Sequence, residues 1–201
     1  MKKNLRDAIQ DRRTYYQLQN SSPVSDQEIQ SIIEHVLLYA PSAFNSQSAR
    51  MLLLLGDNHT KMWEITKDEL KKVSKSEEAF KATEEKVNTS FASGYGTVLF
   101  FEDQTVIKGL QGGLPSMAEK FTQWSEHSSG IVQVLTWMGL ESVGFGASLQ
   151  HYNPLIDEAV RKEWSINEDW ELIAQMPFGM PAGEPGEKTH VTLEDRLVVP
   201  K

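Results

Sequence analysis

Arg12-Arg13-Thr14 sets two guanidinium groups and a hydroxyl side by side in a chain whose formal net charge is -8. A guanidinium fork next to a hydroxyl suits a phosphate monoester, which accepts bidentate, charge-assisted hydrogen bonds. The same residues also read as arginines that complement a helix C-terminus and stay solvated. A second polar stretch, Pro41-Ser42-Ala43-Phe44-Asn45-Ser46-Gln47-Ser48, places two amides and three hydroxyls beside an apolar run. Asn and Gln carry donor and acceptor on one group, which is what reading the mixed polar edge of a heteroaromatic ring requires. These residue types also favour turns, so an ordinary helix–strand connection accounts for them equally well.

Further along, Gly144-Phe145-Gly146-Ala147 brings small residues to a helix-end turn, where Gly144 fits a C-cap. His151 is a candidate for binding or protonating a ligand, and equally for a structural histidine bonded to a carbonyl. Trp124 and His127 are candidate pocket residues, although Trp124 also stands at helical spacing from Phe121, as a core residue would.

The elements that must position these groups follow from periodicity and caps. Leu5, Ala8, Ile9 and Arg12 predict a helix over about residues 3–13, with the arginines at its last turn. Ser25 and Glu28 form a capping box that opens a helix with Ile29, Ile32, Ile33, Val36 and Leu37 on its apolar face, ending before Pro41. Residues 41–48 read as a loop, 51–55 as a buried strand, and 59–75 and 77–93 as charged helices. Thr97 to Phe101 reads as a second buried strand, and both strands as covered on two faces. Gly109 to Pro115 reads as a loop, Met117 to about Gly144 as one or two long helices, 155–164 as a helix and Trp170 to Met176 as a third strand. The tail from Gly179 is rich in Pro and Gly but ends on the apolar Leu197-Val198-Val199, which predicts docking on its own sheet or on a partner subunit. The pattern is a single α+β domain over residues 1–201, helix-rich around a small sheet.

Composition removes several chemistries. Without cysteine there is no disulfide, zinc–thiolate site, iron–sulfur cluster or thiol nucleophile, and no metal site is expected. The acidic balance argues against nucleic acid and anionic membranes as partners. The first residues carry no apolar signal core and no stretch approaches a membrane span, so a soluble, cytoplasmic protein is expected. No dinucleotide-binding glycine motif, P-loop, Gly-x-Ser-x-Gly elbow or His-Glu-x-x-His is present.

Taken together and in this order, Arg12-Arg13-Thr14, the 41–48 loop, Trp124 to Gly130, Gly144 to Pro154, and Pro181-Ala182-Gly183-Glu184-Pro185 with Lys188 resemble the FMN-dependent nitroreductase family. The likeness is to its short fungal and bacterial subgroup, the fatty-acid-repression-mutant-like nitroreductases. It runs from Leu5 to about Val198. It implies a small, mostly antiparallel sheet flanked by helices in an intertwined homodimer, with FMN at the subunit interface and the tail of about 179–201 reaching across. By the same resemblance Arg12, Arg13, Thr14 and Lys188 hold the phosphate and ribityl end, the loop with Ser42 contacts the flavin through Asn45 and Gln47 at the ring, and Phe145 and Gly146 bind the cofactor, with backbone around Gly146 as a donor near N5. The implied activity is hydride transfer from NADH or NADPH through the flavin to nitroaromatic or quinone-like acceptors, with no side chain required as a catalytic acid and Trp124, His127 and His151 near the acceptor. An FMN-binding sensor in lipid or stress signalling is the alternative. Many family members carry another arginine where this chain has Tyr16, which leaves the phosphate grip dependent on Lys188.

Overall fold

In the computed structural model, which describes residues 3–200, strands β1 (Leu18–Gln19), β2 (Ala49–Leu55), β3 (Gly96–Asp103), β4 (Gly146–Ala147) and β5 (Trp170–Pro181) form one sheet. The main order is β1-β5-β3-β2, with β4 also on β5, and every pairing is antiparallel. Among the described residues seven α-helices surround the sheet: α1 (Leu5–Asp11), α2 (Asp26–Tyr39), α3 (Asp57–Val73), α4 (Glu77–Val87), α5 (Gln104–Gly113), α6 (Ala118–Ser142) and α7 (Asp157–Glu163). Met1, Lys2 and Lys201, at the ends of the expected domain, lie outside the described residues. Among those described, no helix is long and apolar enough to cross a membrane.

β3 is the spine, buried at every position. Because side chains alternate across a strand, Val98 and Phe100 join α2 and α6 through Ile29, Ile33, Val132 and Leu140. Leu99 and Phe101 face the opposite way and join α3 and α7 through Met62, Ile65 and Val160. β2, expected to be covered on both faces, is an edge strand and only half-buried along most of its length.

Three expectations change. Gly109 to Gly113 is helical, because Asp103 caps α5 by accepting from the backbone N–H of Thr105 at 3.0 Å and from its hydroxyl at 2.6 Å. One helix of 25 residues, α6, spans the stretch read as one or two. β5 continues to Pro181, through the start of the expected tail, because β4 and β1 give its last residues partners. The short β1 and β4 carried too little pattern to be read from sequence.

Candidate functional site

α6 organises the site, with one polar cluster near each end. At its C-terminal end the helix stops in a Schellman turn, with Gly144 at φ +105°, the Phe145 N–H donating to Leu140 at 3.1 Å and the Gly144 N–H to Glu141 at 2.9 Å. The turn delivers Gly146-Ala147 to β5, and the next layer out is the arginine segment: Thr14 bridges Ala147, and the Tyr15 N–H donates to the Ala147 carbonyl at 3.0 Å. A Cβ on Gly146 would sit 2.9 Å from Tyr15 Cγ, so that position needs glycine for this approach. Phe145 turns its ring into the core, 5.1 Å from Phe178 edge to face, which leaves only its backbone for a ligand.

Arg12 caps α1, its guanidinium 4.6 Å above the Trp137 ring of α6. Arg13 donates to the carbonyl of Gly186, which holds the tail against the arginine segment. As a result Arg12, Arg13, Thr14, Tyr16, Gly186, Glu187 and Lys188 line one cavity of about 400 Å³. Residues more than 170 positions apart in sequence thus bring three cations, two hydroxyls and the Glu187 carboxylate to the same volume. Beyond Pro181 the described residues of the tail form no strand, and Leu197, Val198 and Val199 are exposed.

The amide loop sits near the other end of α6. Phe44 stacks on Trp124 at 5.8 Å and meets Phe121 edge-on at 5.3 Å. Phe44, Asn45 and Gln47 all have left-handed backbones, with φ of 54°, 52° and 49°. Such conformations are strained for residues with a Cβ and persist only where surroundings impose them. Here Ser42 Oγ accepts from the Gln47 N–H at 3.0 Å, Ser128 Oγ of α6 accepts from the Ala43 N–H at 3.3 Å, and Arg50 Nη1 donates to the Gln47 carbonyl at 2.8 Å. The Asn45 and Gln47 side chains are exposed.

Beneath the loop, Glu102 is almost fully buried, 2% exposed, on the α6 side of β3. Its Oε2 accepts from Ser48 Oγ at 2.6 Å and from Ser125 Oγ at 2.8 Å, while Oε1 has no partner. Burial pushes this carboxyl above the ordinary carboxylate range, against the two hydroxyls and the Arg50 charge, which favour the ionised form. Its neighbour Asp103 accepts from Arg50 Nη2 at 2.9 Å. Burial works against ionisation at Asp103 as well, but bonds from Thr105 and the Arg50 charge outweigh it and hold that carboxyl below its usual value.

His127 is exposed on α6 and His151 is exposed after β4, well apart in sequence from the half-buried Trp124 shelf that His127 adjoins. Among the described residues no cluster of three or more His, Asp or Glu has metal-binding geometry. Sequence reasoning passed over Phe44, Arg50, Glu102 and Ser125. Nothing in the local pattern marks Glu102, because an acid after an apolar strand reads as the strand's polar end.

Fold and site together describe an α+β protein with a cationic cluster and an amide-bearing loop set on one long helix. The chain belongs to the nitroreductase family, whose family model matches residues 9–180. It is 36% identical to the HBN1 nitroreductase of Saccharomyces cerevisiae over 182 residues, 90% of this chain and 89% of that one. It is 42% identical to nitroreductase CinD from Lactococcus lactis, with a TM-score of 0.90 over 98% of this chain and 100% of that one in the nicotinic acid complex. CinD has also been solved with 4-nitrophenol, at a TM-score of 0.88. A nitroreductase from Exiguobacterium sibiricum solved with FMN shares the fold at 13% identity and a TM-score of 0.70, over 98% of each chain.

Proposed function

We propose that this chain is an FMN-dependent reductase that takes electrons from NADH or NADPH and passes them to small aromatic acceptors of the nitroaromatic or quinone type. The observation that carries this reading is the cavity shared by Arg12, Arg13, Thr14 and Lys188. Three cations and a hydroxyl in a net acidic chain form a donor set that fits a phosphate monoester. Lys188 makes good the position at Tyr16, where a further arginine is absent. When bound, FMN supplies hydride acceptance at its N5 and delivery to an acceptor; the protein supplies position and electrostatics.

Arg12 and Lys188 hold the phosphate end, and Arg13 serves partly by fastening the tail that carries Lys188. Asn45 and Gln47, exposed and locked in left-handed backbone, offer amides to the ring edge. Phe44 and Trp124 form an aromatic shelf for a flat acceptor, in keeping with the 4-nitrophenol complex of CinD. Within one chain the two clusters do not face a common volume. Trp137 and Trp124, which mark them, lie about 20 Å apart along α6 at ~1.5 Å per residue and on nearly opposite faces. That separation supports a homodimer in which the arginine cavity of one protomer and the amide loop of its partner serve one flavin.

Purified protein should show a flavin absorption band and bind FMN. Arg12→Ala should weaken FMN binding by about 1.5–3 kcal/mol, the scale of a hydrogen bond to a charged group. A colourless protein that takes up no added FMN would sink the reading. Turnover with NADH or NADPH and 4-nitrophenol separates a reductase from an FMN-binding sensor, which would bind flavin but not cycle.

A further inference from the structure

The loop that carries Asn45 and Gln47 holds three strained residues, and strain of this kind has to be imposed from outside. Two of the contacts that impose it, Ser42 to Gln47 and Arg50 to Gln47, stay within the loop and its own strand. The attachment to α6 is a different matter, because α6 carries Trp124 and Phe121, on which Phe44 rests. If loop and helix slid past one another, amides and shelf would lose register.

Glu102 stands where that register is set. Its Oε2 receives the hydroxyl of Ser48, the last loop residue before β2, and the hydroxyl of Ser125, the residue after Trp124. One oxygen atom therefore ties the end of the loop to the helix, as Ser128 Oγ ties its start at Ala43, and does so from a strand buried along its whole length. The other oxygen, Oε1, is buried without a partner. Glu102 also lines a cavity of about 300 Å³ with Gln104, Ser125, Glu126, Gln133 and Glu171. A carboxylate used only for packing would be replaced at lower cost by an apolar side chain, since a buried acid with an unpaired oxygen is expensive to keep. Its neighbours reinforce that cost: Glu171 and Glu126 face the same cavity, and the Arg50 guanidinium is already bonded to Asp103 and to the Gln47 carbonyl.

We propose that Glu102 is a positioning residue, whose single accepting oxygen joins Ser48 and Ser125 and so fixes the amide loop in register with the Phe44–Trp124 shelf. It acts through the loop, whose exposed amide side chains are Asn45 and Gln47. The proposal rests on the flavin reading for its functional consequence, but not for its structural one.

The test is a pair of substitutions read in two ways. Glu102→Leu removes the acceptor, whereas Glu102→Gln keeps one carbonyl oxygen for both serines and puts an amide nitrogen where Oε1 now lies. Hydrogen exchange over residues 42–49 is followed by mass spectrometry, and FMN affinity by fluorescence titration of the full chain. Glu102→Leu should speed exchange in this segment and weaken FMN binding, each by about tenfold, the scale of one lost hydrogen bond with its partner left buried. Glu102→Gln should restore both. Should Glu102→Leu not fold, Ser125→Ala cuts the α6 half of the tie alone and is expected to speed exchange over 42–49 in the same direction. Wild-type exchange in Glu102→Leu, or in Ser125→Ala, would overturn the proposal, as would a Glu102→Gln variant as impaired as Glu102→Leu. Wild-type protein that binds no FMN would instead sink the flavin reading, and the exchange comparison would still decide the role of Glu102.

Discussion

The two ends of β3 bury polar groups on opposite faces of the sheet and treat them in opposite ways. At one end Thr97 faces α3, where Trp63 Nε1 donates to its hydroxyl at 3.0 Å and His59 Nδ1 lies 2.8 Å away. The other ring nitrogen of His59 is 3.2 Å from the Ala92 carbonyl, so it donates there and Nδ1 accepts from Thr97. Every member is satisfied, and the network adjoins the aromatic cluster of Trp63 and Phe91. At the other end Glu102 faces α6 with one oxygen doubly bonded, the other unpaired, and a cavity beside it. A complete buried network rigidifies a fold. An incomplete one is tolerated where something other than stability keeps it, and here it underlies the strained loop of the candidate site.

The contrast breaks most visibly at Thr97. Thr97→Val preserves shape but strips the Trp63 N–H and the His59 nitrogen of their partner, at about 1–3 kcal/mol for each buried group left unpaired. Urea denaturation should therefore show a loss of about 2–6 kcal/mol, while the FMN affinity of the folded fraction stays that of the wild type. A loss below about 1 kcal/mol would mean that water or a local shift repairs the network, and that this end is no more structural than the other.

How much of this was legible beforehand depends on whether the signal was local. The Ser25 cap was readable because it is a contact between near neighbours, and its hydroxyl does accept from the Glu28 N–H at 3.2 Å. The core strand at 97–101 and the long helix ending near Gly144 announced themselves by composition and by a turn glycine. The helical Gly109–Gly113 did not, because glycine's low helix propensity is overridden by the Asp103 cap and by packing on α6. The arginine cluster was legible as chemistry, but its junction with Lys188 depends on Arg13 reaching Gly186, a contact with no sequence periodicity. Glu102 was invisible for a sharper reason: burial of an acid reverses the expectation that its residue type sets.

A smaller effect separates the ends by the sign of their pH dependence. Burial holds His59 below its ordinary value near 6.5, with the Ala92 carbonyl acting against it. The unfolded chain then binds the extra proton, so the Thr97 end is fully stable above that value and weakens as pH falls below it. Glu102 is displaced upward from about 4.5, chiefly by burial, so here the folded chain keeps the proton longer. Its contribution is fully present below that value and is lost as pH rises through the raised one, with a slope of at most about 1.4 kcal/mol per pH unit. Glu102→Gln does not titrate and should escape this loss. Its stability relative to wild type, measured by denaturation across a pH series, should therefore climb above the ordinary carboxylate range and then level off. A constant difference at every pH would show that the Glu102 carboxyl titrates alike in the folded and unfolded chains, so that burial does not displace it.

The smallest effect tests whether the loop end reads its ligand by side chain or by backbone. Asn45 holds φ 52° with its side chain exposed, a conformation that glycine adopts freely, asparagine tolerates and alanine resists. Asn45→Ala should cost about 1 kcal/mol of stability, and Asn45→Gly should stay within about 0.5 kcal/mol of wild type or gain slightly. Both lose the amide. If Asn45 reads the ring edge through that amide, the two variants should bind FMN equally poorly despite differing in stability. If Asn45→Gly binds as wild type does while Asn45→Ala binds weakly, the loop contributes its strained backbone alone. The tie at Glu102 would then matter for holding a chain path rather than for aiming an amide.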